Sequence, residues 1–228
     1  METKATRQIV LYREFTYFFS MFILSTSVSF LTQVGWGAPL GASFYYVLNQ
    51  LIPSVSMGQW SWVIQGAVIL VMIGIVREFH WWYVLSAFTS FLYGFFLDIT
   101  QTLYSFMHLT GFLEKTLVFA VAFLLMGFGI SLFMKSDMPL LAFDLIVKEV
   151  VRVKKYRVGI VKTIFDITLL LCALGVGLFF YHRPVGLGMA TVILTFFTGA
   201  YIEKIEPWMK RTFVFKSAWK GKKEQNEK

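Results

Sequence analysis

Apolar residues run through this chain in six long blocks, separated by charged or proline-containing stretches. The blocks cover about Phe15 to Val34, Gln59 to Val76, Trp81 to Thr100, Thr116 to Met134, Val158 to Phe180 and Val185 to Ile202. Each has at least 18 residues, and a helix rising ~1.5 Å per residue then nearly matches a ~30 Å hydrocarbon layer. Six membrane-spanning helices are predicted. Two shorter apolar pieces lie between them. Pro39 to Ile52 is too short to cross and too apolar for an ordinary loop. It reads as a half-helix or re-entrant element with Pro39 in its first turn, where a missing N–H costs nothing. The second piece starts at Pro139 and runs to about Lys155, with Leu140, Leu141, Phe143, Ile146, Val147, Val150 and Val151 on a broad apolar face. Lys148, Arg152, Lys154, Lys155 and Arg157 flank it, the pattern of a helix at a membrane surface.

These pieces divide the chain into a polar N-terminal segment (1–14), a first half (15–100), a linker (101–115), a second half (116–203) and a basic tail (204–228). The last nine residues, Lys220 to Lys228, have the polar composition of disorder. The halves resemble each other. An offset of 100 pairs Pro39-Leu40 with Pro139-Leu140 and Ala42 with Ala142. An offset of 101 pairs Gly58 with Gly159, Gln65 with Asp166 and Gly74 with Gly175, and 105 pairs Ser86 with Thr191, Gly94 with Gly199 and Asp98 with Glu203. Three spans per half is an odd number, so a second copy must sit upside down relative to the first. The expected fold is an all-α polytopic membrane protein: six transmembrane helices in a 3+3 inverted repeat, with two short proline-led half or interfacial helices.

Composition agrees with the blocks. The chain of 228 residues is 57% hydrophobic and 15% charged, against about 25% charged in a soluble domain. Its net charge of +8 lies beside apolar segments rather than on a basic soluble domain. That predicts a lipid bilayer as partner and no nucleic acid. With the N-terminus in the cytoplasm, 19 of the 21 Lys and Arg residues fall on the inner side, and only Lys115 and Arg183 outside. Both termini are therefore expected in the cytoplasm, on the inner side of the membrane. No small-residue cleavage site follows the first block, which is expected to remain as span 1. The single cysteine, Cys172, excludes a disulfide framework and is expected to pack inside a span.

Several of these stretches are similar to the YczE/YyaS/YitT-like bacterial membrane proteins. They are the glycine-rich run Gly127-Phe128-Gly129 leading to Pro139, the pair Phe143-Asp144, the Val158-Gly159 start of span 5, and Pro184-Val185-Gly186-Leu187-Gly188 before span 6. The resemblance covers roughly residues 15–205 and is clearest in the second half; in the first, Ala38-Pro39 is followed by Ser43 rather than an acid. The resemblance implies a multi-span protein of the bacterial inner (plasma) membrane and no particular activity.

An acid within hydrocarbon costs ~2.5–3.5 kcal/mol on insertion scales, so each one is a candidate site. Asp166 lies inside span 5, with Gln65 approaching from span 2 as its repeat partner; Lys162, one turn before Asp166, is the ordinary alternative. Asp144 is placed to bind a cation or substrate amine, unless Lys148 at i+4 pairs with it. Asp98 and Glu203 each end the third span of a half, where solvation or pairing is the plain reading. Asp137 reads as the cap of the Pro139 helix. Trp36, Tyr45 and Tyr46 are candidates for a cage around an organic cation. His80, His108 and His182 have no metal-ligand spacing, and no nucleophile elbow, phosphate loop or other catalytic constellation exists, so no enzyme activity, cofactor or metal is expected. Two functions remain. One is a small-molecule or ion secondary transporter with a substrate site at Asp166, Gln65, Asp144 and Asp98. The other is a non-transporting scaffold that docks a membrane or cytoplasmic protein through 139–157, with a homodimer as a further partner class.

Overall fold

The computed structural model describes residues 9–216, without the side chains of 158 and 159. Lys4, Arg7 and the stretch Lys220–Lys228 assigned to disorder lie outside the described residues. The elements in order are β1 (Ile9–Tyr12), α1 (Arg13–Val34), α2 (Leu40–Leu51), α3 (Met57–Val76), α4 (Trp81–Leu103), α5 (Phe112–Lys135), α6 (Ala142–Lys154), α7 (Val158–Tyr181), α8 (Met189–Thr212) and β2 (Phe213–Lys216). The apolar blocks became helices because leaving backbone amides unpaired in lipid is costly. Their ends follow local chemistry. Gly35, with φ 73°, lets the chain leave α1 in the left-handed region. Ser56 and Gln59 form a reciprocal capping box that starts α3.

Five helices are long and apolar enough to cross a membrane: α1, α3, α4, α5 and α7. This is a membrane-embedded protein. The sixth predicted span is modified. Val185 to Gly188 are not helical, and α8 instead starts at Met189 and runs through Pro207 to Thr212, absorbing residues assigned to the tail. Its second half carries Glu203, Lys204, Glu206, Lys210 and Arg211, which lowers its hydropathy. The inner short helix also starts late, at Ala142, because Pro139 to Leu141 form an extended lead. Asp137 is not its cap. It sits at φ 52° and pairs with Arg13 at 2.9 Å. Cys172 is exposed on α7 rather than packed. The predicted linker shrinks to the turn between α4 and α5. One element had no sequence signal: β1 pairs in parallel with β2, from Ile9 opposite Phe213 to Tyr12 opposite Lys216.

Helix α1 is the centre of the bundle, and a row of small side chains (Ser20, Ser25, Ser27, Ser29) lets neighbours approach it closely. It lies antiparallel to α5. Arg13 meets Asp137 just beyond the end of α5, Tyr17 stacks on Phe133, and the Ser27 hydroxyl donates to the Ala122 carbonyl at 2.7 Å. Other packings come in matched sets: α1 on α4 and α5 on α8, α2 on α7 and α6 on α3, α2 on α3 and α6 on α7. One match is missing. α3 lies along α4, whereas α7 and α8 barely touch. The largest buried cluster joins Met21, Leu24, Val28, Ala42, Tyr45 and Tyr93 around the start of α2.

Candidate functional site

Each half contains a helix break, and the last helix of the other half holds it. After α1, the Ala38 N–H donates to the Gly186 carbonyl at 2.9 Å, and the Thr191 hydroxyl donates to the Ala38 carbonyl at 2.8 Å. The Ala190 N–H reaches the Trp36 carbonyl at 3.0 Å. Gly188 is needed there for close approach, since a Cβ would overlap that carbonyl. After α5, the Pro139 carbonyl accepts from Tyr17 at 3.3 Å, and the Ala142 N–H reaches the Ser90 hydroxyl of α4 at 3.4 Å. These contacts satisfy backbone groups that the breaks leave without helical partners. The starts of α2 and α6 meet where Gly41 faces the Phe143 ring, closely enough that a Cβ there would lie 3.1 Å from it.

Between those starts lies a cavity of about 490 Å³, bounded mainly by α1, α2, α5 and α6 and completed by Gln65 of α3, Tyr93 of α4 and Lys162 of α7, within the range of small-molecule sites. Its walls are apolar, with Leu24, Val28, Tyr45, Tyr93, Ile130 and Phe133 among them. Its polar lining is Gln65, Asp144, Lys148 and Lys162.

The predicted residues separate here. Gln65 and Asp144 come together on this cavity. Gln65 is also structural: its amide donates to Ser61 and accepts from Ser90, both at 3.0 Å, and Ser90 in turn receives the first N–H of α6. Asp166 pairs with Lys162 at 2.9 Å, the ordinary alternative, and reaches the cavity only through that partner. Asp98 lies apart. Its carboxylate accepts from the Ser56 hydroxyl at 2.6 Å and the Gly58 N–H at 2.7 Å, so it caps α3. The aromatic cage does not form: Trp36 packs on Phe112 and Phe119, Tyr46 borders a separate hollow beside Arg183, and Tyr45 faces the main cavity. Lys148 and Tyr93 are lining residues that sequence reasoning did not assign. Among the described residues, no three His, Cys, Asp or Glu side chains gather as a metal site.

Comparison with known families places this arrangement. The family of unknown function DUF6198 matches residues 11–207, from β1 to the last quarter of α8. The chain belongs to DUF6198. No curated protein and no solved structure matches it.

A second polar cluster in this DUF6198 chain fastens α6 to the turn between α3 and α4. Glu149 is 9% exposed and accepts from the Tyr83 hydroxyl at 2.8 Å and from Arg152 at 2.7 Å. Arg152 also reaches Glu78 at 2.8 Å. Burial pushes the Glu149 carboxyl up, but hydrogen bonds from Arg152 and Tyr83 outweigh it and hold the group below the ordinary glutamate range. The DUF6198 cavity therefore has one wall, α6, anchored by a charged network at its far end.

Proposed function

We propose that this protein is a small-molecule permease of six crossing helices in two inverted halves, with the cavity between α1, α2, α5 and α6 as its substrate site. The sixth crossing is α8. Pairing of β1 with β2 keeps the start of α1 and the end of α8 at one face, and only an even number of crossings does that. The inverted arrangement is supported by the antiparallel α1 and α5 and by the matched packings around them. The Lys and Arg distribution supports cytoplasmic termini, and the resemblance to the YczE/YyaS/YitT-like proteins supports a bacterial inner membrane. Kinship with YczE/YyaS/YitT-like proteins rests on the stretches already quoted.

The observation that carries the reading is the position of the cavity. It lies between the starts of both interrupted helices, bordered by Gln65 and Asp144, where inverted-repeat transporters bind substrate. The test needs no known substrate. Single cysteines at Ile130 and Phe143, in a Cys172→Ser background, are probed with a membrane-impermeant maleimide in vesicles of both orientations. A permease gives reaction at each position from both faces. Reaction from one face only, or none, overturns transport and favours a scaffold that uses Lys154 and Lys155 at the end of α6.

A further inference from the structure

We propose that the cavity takes a zwitterionic amphiphile: an apolar body among α1, α2 and α5, an amine at Asp144 and an acidic group at Lys148. The inference rests on this cavity being the ligand site of the permease reading.

Asp144 and Lys148 stand one helical turn apart on α6, the spacing at which an acid and a lysine ordinarily pair. They do not pair here. Neither side chain makes an ion pair or a side-chain hydrogen bond among the described residues, although the charges of the Lys162–Asp166 pair act on the Asp144 carboxyl from α7. Both nonetheless line the cavity, whose remaining lining is almost entirely apolar. Lys162, the other charge on the lining, is already engaged by Asp166. The site thus offers one carboxylate and one ammonium, with no net charge between them. A purely cationic ligand would leave Lys148 without a mate, and a purely anionic one would leave Asp144. Both residues are exposed, so the cost arises when a ligand covers them: a molecule bearing one sign would bury the other charge without a partner, and a ligand carrying both signs fits best. The apolar walls from Leu24 and Val28 to Ile130 and Phe133 ask for a hydrocarbon body attached to that head. Two sources share this chemistry: a lipid whose headgroup holds a phosphate and a primary amine, and a free apolar amino acid.

The experiment measures binding to the full chain in neutral detergent by titration calorimetry. The probes are lysophosphatidylethanolamine, its anionic phosphatidic acid analogue, dodecylamine and free phenylalanine. Lysophosphatidylethanolamine or phenylalanine is expected to bind at least tenfold more tightly than either singly charged amphiphile, and which of the two binds identifies the source. Asp144→Asn should weaken that probe about tenfold and leave the anionic analogue unchanged. Lys148→Gln should weaken it about tenfold and leave dodecylamine unchanged. Asp144→Glu and Lys148→Arg should restore binding, which separates a charge effect from misfolding. Equal affinity for a singly charged probe, no binding of either zwitterion, or an unchanged zwitterion affinity in Asp144→Asn overturns the proposal. Two-sided thiol access with failed zwitterion binding keeps the permease and removes this ligand. One-sided access with retained binding does the reverse.

Discussion

The two helix pairs that close the halves differ sharply. α3 and α4 cross at Gly58 and Gly94 so closely that a Cβ on either would overlap the other's carbonyl oxygen. Asp98 of α4 then reaches over to cap α3. In the second half the corresponding pair, α7 and α8, barely touches. Gly199, which the sequence aligns with Gly94, has open space around it, and α7 exposes Ile160, Ile164, Ile167, Leu171 and Leu178. Similar residues at similar places therefore do not guarantee similar packing. Glycine permits a close crossing, and a neighbour must arrive to use it.

The largest expected difference comes from the glycines themselves. Gly58→Leu should cost about 3 kcal/mol, the upper range for overpacking, read as a lowered melting temperature and loss of monodisperse protein. Gly199→Leu should stay within about 0.5 kcal/mol. Equal losses would mean that α7 and α8 do pack in the membrane. The capping acids come next. Asp98→Ala should lower stability by about 1–2 kcal/mol, as for a lost helix cap. Glu203→Ala, at the aligned but exposed position of α8, should change almost nothing.

A third contrast involves the fastening of the α3–α4 turn to α6. Glu149→Gln should cost about 1 kcal/mol at neutral pH, since half-exposed Arg152 limits the gain. Because the folded carboxyl titrates below its ordinary value, its stabilisation is complete above about pH 4.3, the free glutamate value. It is lost as pH falls through the folded value. Melting curves from pH 7 to pH 3 should show the gap between wild type and variant closing on the acid side. The smallest effect is expected on α7. Asp166→Asn should cost less than about 0.5 kcal/mol, because its partner Lys162 is 47% exposed. A loss above that would show that α7 is covered by something in the bilayer.

Much of the fold was legible because apolar runs in this chain stop at charges or prolines. The ends of α1, α3 and α7 fall within two residues of the sequence reading. The short helix α2 was legible from Pro39 and its length. Local rules failed where distant groups decide. Nothing near Asp137 shows that Arg13 will draw it into a left-handed turn, and Pro139 favoured an extended lead over a first helical turn. Asp98 lies 40 residues from the N–H it accepts, so its capping role had no local mark. Of the site, Gln65 and Asp144 were readable as polar residues in apolar surroundings. Lys148 was not, because spacing argued for a pair that the packing does not make.

Joining of the first and last described strands sets an order of assembly. Residues 9–12 leave the ribosome about 200 residues before their mate and stay unpaired until residue 213 has been synthesised and the intervening helices have found their places. This pairing is therefore among the last contacts to close, and while it stays open the newborn chain offers an unsatisfied strand edge to its surroundings. Once shut, it holds residues 9–12 beside residues 213–216, so a permuted gene opened between α4 and α5, with residue 216 joined to residue 9 through a short linker, should yield the same bundle with its halves in reversed order.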